Sequence, residues 1–74
     1  MATLAHLPPG RPARVLKVPP EHRRLLALGV RPGVLVEVLL RAPLGDPLEV
    51  RAGETLLLLR RTEAHAVLVE PLEG

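Results

Sequence analysis

The chain has 74 residues, 47% of them hydrophobic, with no aromatic side chain, no cysteine and a formal charge of +2. That describes one small domain built on aliphatic groups, and it excludes disulfide frameworks, thiol nucleophiles and cysteine-based zinc or iron–sulfur sites. Serine, tyrosine, asparagine and glutamine are also missing, which leaves little for covalent catalysis and points away from an enzyme.

In chain order, Met1 to Pro12 holds three prolines and a glycine and reads as a lead-in, with about one turn of structure around Thr3 to Leu7. Ala13 to Val18 is predicted as a first strand, stopped by Pro19-Pro20. A short helix is predicted over Glu21 to Leu28: Pro20 suits the first helical position, Glu21 the positive end of the dipole, and Gly29 the left-handed residue that closes a helix. Its Leu25 and Leu28 share a face that must pack on something.

Val30-Arg31-Pro32-Gly33 reads as a type II turn. In the strand that follows, Val34 to Arg41, the residues Val34, Val36, Val38 and Leu40 alternate with Leu35, Glu37, Leu39 and Arg41, so the first set is assigned to the core. Ala42 to Pro47 is dense in turn residues, and Leu48, Val50 and Ala52 alternate with Glu49 and Arg51 in the next strand. Gly53-Glu54 marks a tight hairpin, after which Thr55 to Arg60 carries four consecutive leucines, two of which must leave the interior because successive side chains alternate. Arg61 to Ala64 suits a single helical turn, and Ala66 to Glu70 a fifth strand with Val67 and Val69 on one face. Five short, mostly hairpin-connected strands with one helix between the first two predict a mainly β, partly open small barrel, one domain over residues 1–74 with its core within 11–70.

Nine arginines against one lysine, nine prolines and no asparagine, glutamine or cysteine are what thermal adaptation and a biased codon supply both produce. The longest apolar runs fall far short of the roughly 18 residues of a membrane span, and Met1 to Leu7 lacks the basic and apolar regions of a signal peptide, so the expected compartment is the cytoplasm. Base stacking and polyproline binding, the usual ligand chemistry of small barrels, both rely on aromatic rings. With none present and little net charge, no nucleic-acid partner is expected.

The segments Leu25 to Gly33 (LLALGVRPG), Val36 to Leu40, Ala42 to Pro47 (APLGDP), Leu59-Arg60-Arg61 and Glu63-Ala64, in this order and spacing, resemble the FeoA family of ferrous iron transport accessory proteins over Arg11 to Glu70. The resemblance implies an SH3-like β-barrel, a cytosolic location, and service alongside FeoB, the membrane GTPase that carries ferrous iron inward, as an accessory or adaptor that binds and modulates it. The alternative is a small transition-metal-binding regulatory module related to the SH3-like domain of metal-dependent repressors, although the helix-turn-helix and dimerisation region that precede that domain have no counterpart in this sequence.

Among the candidate site residues, Leu28, Gly29, Pro32, Gly33, Pro43, Gly45, Asp46 and Pro47 match the family motif, and turn chemistry also accounts for them, Asp46 accepting bonds from nearby amides of its own turn. For metal, His22, Glu63 and His65 are the weak candidates; their spacing is not diagnostic, solvent-exposed histidine is the plainer reading, and no cofactor is expected beyond weak divalent metal binding suggested by the resemblance. For a protein partner, Leu35 and Leu39 lie opposite the valine face, Leu57 and Leu59 are taken as the outward pair of the leucine run, and Arg41, Arg60 and Arg61 would rim the patch. The helix, the N-terminal segment or a second copy of the chain are other ways to cover those leucines. No phosphate-cradling glycine loop is present, so GTP binding is not expected.

Overall fold

The computed structural model describes residues 2–73, so the expected domain limits at Met1 and Gly74 lie outside the described residues. The elements in order are β1 (Ala2–Thr3), a single 3-10 turn (Leu4–His6), β2 (Pro12–Lys17), α1 (Arg23–Ala27), β3 (Leu35–Arg41), β4 (Leu48–Ala52), β5 (Thr55–Leu59), α2 (Arg61–Ala66) and β6 (Leu68–Pro71). All strand pairs are antiparallel, in one six-stranded sheet of order β1-β6-β2-β3-β4-β5. The sixth strand was not expected: Ala2 and Thr3 leave the lead-in to pair with Val69 and Leu68, and the Leu4 amide continues the pairing to the Val67 carbonyl at 2.9 Å.

The predicted helix starts two residues late. Pro19 and His22 close a turn through a 3.0 Å backbone bond, and His22, with φ −83° and ψ 63°, is the non-helical residue that begins α1. The end of the helix follows the sequence. Gly29 takes φ 98°, and the amides of Gly29 and Val30 bond the carbonyls of Leu26 and Leu25 at 3.1 and 2.9 Å, a Schellman closure in which Leu25 and Val30 are both fully buried. The type II turn sits one residue later than expected, over Arg31 to Val34, with Gly33 at φ 91° in the position that requires it. At the other end of the chain Ala66 belongs to α2, and the last strand is Leu68–Pro71.

Inside the sheet lie Val15, Val36, Val38, Leu48, Val50, Leu57, Leu59, Val67 and Val69, joined by Leu25 from α1 and by Leu4 and Leu7 from the N-terminal turn. Each such side chain contributes about 1.5–3 kcal/mol on leaving water, which lets a domain without rings or disulfides hold together. Two expectations about this core are corrected. Leu40 is 61% exposed, because a bulge between Val38 and Leu40 shifts the β3–β4 register and inverts the alternation beyond it. Leu57 and Leu59 point inward and Leu56 and Leu58 outward, because Ala52 pairs with Thr55 across the two-residue Gly53-Glu54 loop, which sets Leu57 against buried Val50 and Leu59 against buried Leu48.

Candidate functional site

The outward face of β3, β4 and β5 carries the largest exposed aliphatic groups: Leu35 at 48%, Leu56 at 60%, Leu40 and Leu58 at 61%, and Leu44 at 90% on the β3–β4 loop. Strand register arranges them in two rows, Glu37, Arg51 and Leu56 in one and Leu40, Glu49 and Leu58 in the other. Directly opposed residues in a sheet share a face. Glu49 of β4 thus lies between Leu40 and Leu58, and Arg51 between Glu37 and Leu56, and a shallow groove beside Leu35, lined by Pro12, Glu37, Arg51 and Gly53, extends the surface toward β2. Of the residues expected to meet a partner, Leu35 lies in this surface and Leu39 is half-buried, while Leu57 and Leu59 are core.

Arg41 is engaged within the molecule. Beyond the bulge its side chain turns toward the N-terminal segment, where one guanidinium nitrogen donates to the Ala5 carbonyl at 2.6 Å and the other to the Leu7 carbonyl. Arg60 and Arg61 are exposed at the start of α2. Two acids cap that helix start, one from its own first turn and one from the β3–β4 loop. Glu63 accepts from the Arg60 amide at 2.9 Å, the acidic half of a capping box, arginine having no acceptor to complete the other half. Asp46 Oδ1 accepts from the Arg61 amide at 3.0 Å. The bond expected within the Gly-Asp-Pro turn is therefore made across the fold, and the APLGDP segment, held by its own Gly45 to Ala42 bond of 2.7 Å, acts as a cap for α2.

Glu63 also accepts from Arg24 of α1, whose Nη1 lies 2.8 and 2.7 Å from the two carboxylate oxygens, while Nη2 donates to the Leu58 carbonyl at 3.2 Å. Burial acts to raise the Glu63 pKa; the Arg60 amide and then the Arg24 and Arg60 charges outweigh it and hold the carboxyl below its ordinary value.

The three metal candidates lie apart in role. Glu63 is committed to Arg24 and the Arg60 amide, His22 begins α1, and His65 meets His6 edge to face with ring centroids 5.1 Å apart. His6 in turn bonds Thr3 Oγ1 through Nδ1 at 2.9 Å. Among the described residues no group of three or more histidine, aspartate or glutamate side chains converges, and no helix is long and apolar enough to cross a membrane.

A short N-terminal strand, an antiparallel six-stranded sheet around an aliphatic core and short helices between strands make up an SH3-like β domain. The FeoA domain model matches residues 2–71, and the chain belongs to the FeoA family, whose association is with ferrous iron transport. Among solved structures it is similar to the FeoA protein of Chlorobium tepidum, at 43% identity and TM-score 0.87 over 97% of this chain and 71% of that one. It is similar also to the iron(II) transport protein A of Clostridium thermocellum, at 36% identity and TM-score 0.87 over 95% of this chain, although the match spans only 45% of that protein. The FeoA of Stenotrophomonas maltophilia, a prokaryotic SH3 domain protein solved with zinc, matches at 35% identity and TM-score 0.81 over 95% and 91% of the two chains. No curated protein matches the chain.

Proposed function

We propose that the protein is a non-enzymatic, cytosolic adaptor of ferrous iron uptake that docks its leucine face on the cytosolic part of a FeoB-type membrane transporter and modulates it. Family membership supplies the transport system, and the exposed Leu35, Leu40, Leu56 and Leu58 on one sheet face are the observation that carries the docking role. A monomer leaves such residues in water at a cost to solubility, and a partner that covers them recovers the hydrophobic free energy. Glu37, Glu49 and Arg51, threaded among them, give the surface charges of both signs with which to fix orientation. The relative from S. maltophilia, for which a role as a ferrous iron transport activating factor has been suggested, supports the same reading.

Titration of the protein against the cytosolic part of the transporter, and against the full-length transporter in each nucleotide state, tests it. Saturable binding that L56S/L58S weakens by about tenfold or more is expected, each buried leucine being worth enough for that loss; no binding in any state overturns it.

The second reading, a weak divalent metal-binding regulatory module, draws on the His6–His65 pair and on the zinc in the S. maltophilia structure. Two imidazoles at exposed positions provide half of a tetrahedral set, so affinity would be low. A calorimetric titration with ferrous or zinc ion that shows no heat in the micromolar range removes this reading.

A further inference from the structure

Natural sheets guard their free edges with short strands, prolines, lysines or bulges. At one edge of this sheet β1 is two residues long. At the other, β5 is five residues long, contains neither proline nor charge, and pairs with β4 without any register shift. Ala52 and Thr55 flank a two-residue loop and so exchange both backbone bonds, as do Val50 with Leu57 and Leu48 with Leu59 in the same phase. Leu56 and Leu58 consequently aim their amides and carbonyls away from β4, and the Arg24 guanidinium reaching the Leu58 carbonyl from outside marks that direction.

Along this edge the outward strand positions are Leu56 and Leu58, flanked by Glu54 of the hairpin loop and by Arg60, which directly precedes α2, and all four are exposed. The series is self-complementary when reversed. In an antiparallel pairing of two β5 strands about Leu57, Leu56 of each copy faces Leu58 of the other and exchanges both backbone bonds with it, and Glu54 of each faces Arg60 of the other. Opposed side chains would stand about 5 Å apart, close enough for the leucines to pack and the charges to attract. The Leu58 carbonyl has a second lone pair for the new bond while Arg24 keeps the first. Shifting the register to the next backbone-compatible position, about Leu56 or Leu58, leaves Glu54 facing Leu58 or Arg60 facing Leu56 and loses the charge match.

We propose that two copies of this chain associate edge to edge through β5, in antiparallel register about Leu57, to form a twofold dimer with one continuous sheet. The seam is short, well below the roughly 1,200 Å² of a stable interface, so the dimer is weak, with a dissociation constant on the order of 100 μM.

Analytical ultracentrifugation of the purified protein from about 10 μM to 1 mM, with amide exchange followed by NMR, tests the proposal. The expected result is a reversible dimer in which the Leu56 and Leu58 amides gain protection as concentration rises. E54R and R60E singly should each weaken it by about tenfold by setting like charges opposite one another, and E54R/R60E should recover it. Both positions are exposed and outside the core, so folding is retained, and amide spectra check that. A monomer throughout the range overturns the proposal, as does a dimer that ignores both charge changes. Protection of Leu56 and Leu58 that appears only with a strand from a different protein also overturns it and gives this edge to that partner.

Discussion

Arg24 and Glu63, 39 residues apart in sequence, meet with a single guanidinium nitrogen held between both carboxylate oxygens at 2.8 and 2.7 Å, and this contact joins the first helix to the second. The Arg24 side chain is 56% exposed and that of Glu63 16%, so the pair works at the boundary where water weakens but does not abolish it.

Replacing Glu63 with glutamine keeps an oxygen for the Arg60 amide and removes the charge. Because the folded-state pKa lies below the ordinary value, the charge contributes stability that is present above the unfolded pKa and is lost as pH falls through the folded one. E63Q should therefore cost about 1 kcal/mol at pH 7, or roughly 4–8 °C in Tm for a domain of this size. Thermal melts of the two proteins should converge in acid below the usual carboxylate range. A gap that stays constant with pH would show that the charge is not its source.

Arg41 ties β3 to the N-terminal turn through the Ala5 and Leu7 carbonyls. Its loss leaves two acceptors at the end of a segment whose Leu4 and Leu7 belong to the core. R41A should lower stability by about 1.5–3 kcal/mol and speed amide exchange in residues 2–7 before the rest of the sheet. R41K should recover only part of this, because an ammonium on a flexible stem lacks the fork that spans two carbonyls. Exchange rates that rise evenly over the whole domain would contradict a local clamp.

Most of the architecture is legible in the sequence because short strands bounded by glycine and proline leave few ways to alternate: β4 falls where its pattern puts it, and the closing turn of α1 follows from Leu25, Gly29 and Val30. What escapes is whatever depends on pairing across the sheet. The two residues of β1 are too few to show a period, and the bulge at Leu39 that turns Leu40 out and Arg41 in leaves no mark on a run of apolar residues. The leucine phase of β5 was available, since a two-residue Gly53-Glu54 loop aligns Leu57 with Val50; counting across the hairpin, rather than along the strand, finds Leu56 and Leu58 as the exposed pair. The joining of Asp46 to α2 and of Arg24 to Glu63 lies beyond any local pattern, because both contacts are made by elements that only the folded sheet brings together.

Asp46 caps the Arg61 amide from a loop 15 residues upstream in sequence. Removing the acceptor in D46A should cost about 1 kcal/mol, the usual worth of a side chain at a helix start. D46N should retain most of it, since the amide oxygen accepts the same bond. Urea denaturation of the three proteins makes the comparison, and equal losses in D46A and D46N would assign the role of Asp46 to its charge instead of to this bond.

The neighbouring positions Leu57 and Leu58 separate folding from docking. Leu57 is 8% exposed and packs opposite Val50, so L57A removes buried methyl groups and should destabilise the domain by about 2–5 kcal/mol. Leu58, 61% exposed, sits on the outer face beside Glu49, and L58A should change stability by no more than about 0.5 kcal/mol. The docking proposed above predicts the reverse order for binding to the transporter: the folded fraction of L57A should bind with nearly native affinity, whereas L58A should lose several-fold, its methyl groups being part of the proposed docking surface. Denaturation curves and a titration on the same four samples, wild type, L57A, L58A and L40A, decide the matter. Destabilisation by L58A equal to that of L57A would place the leucine phase of β5 the other way round, and native affinity in both L58A and L40A would remove the outer leucine face from the docking surface.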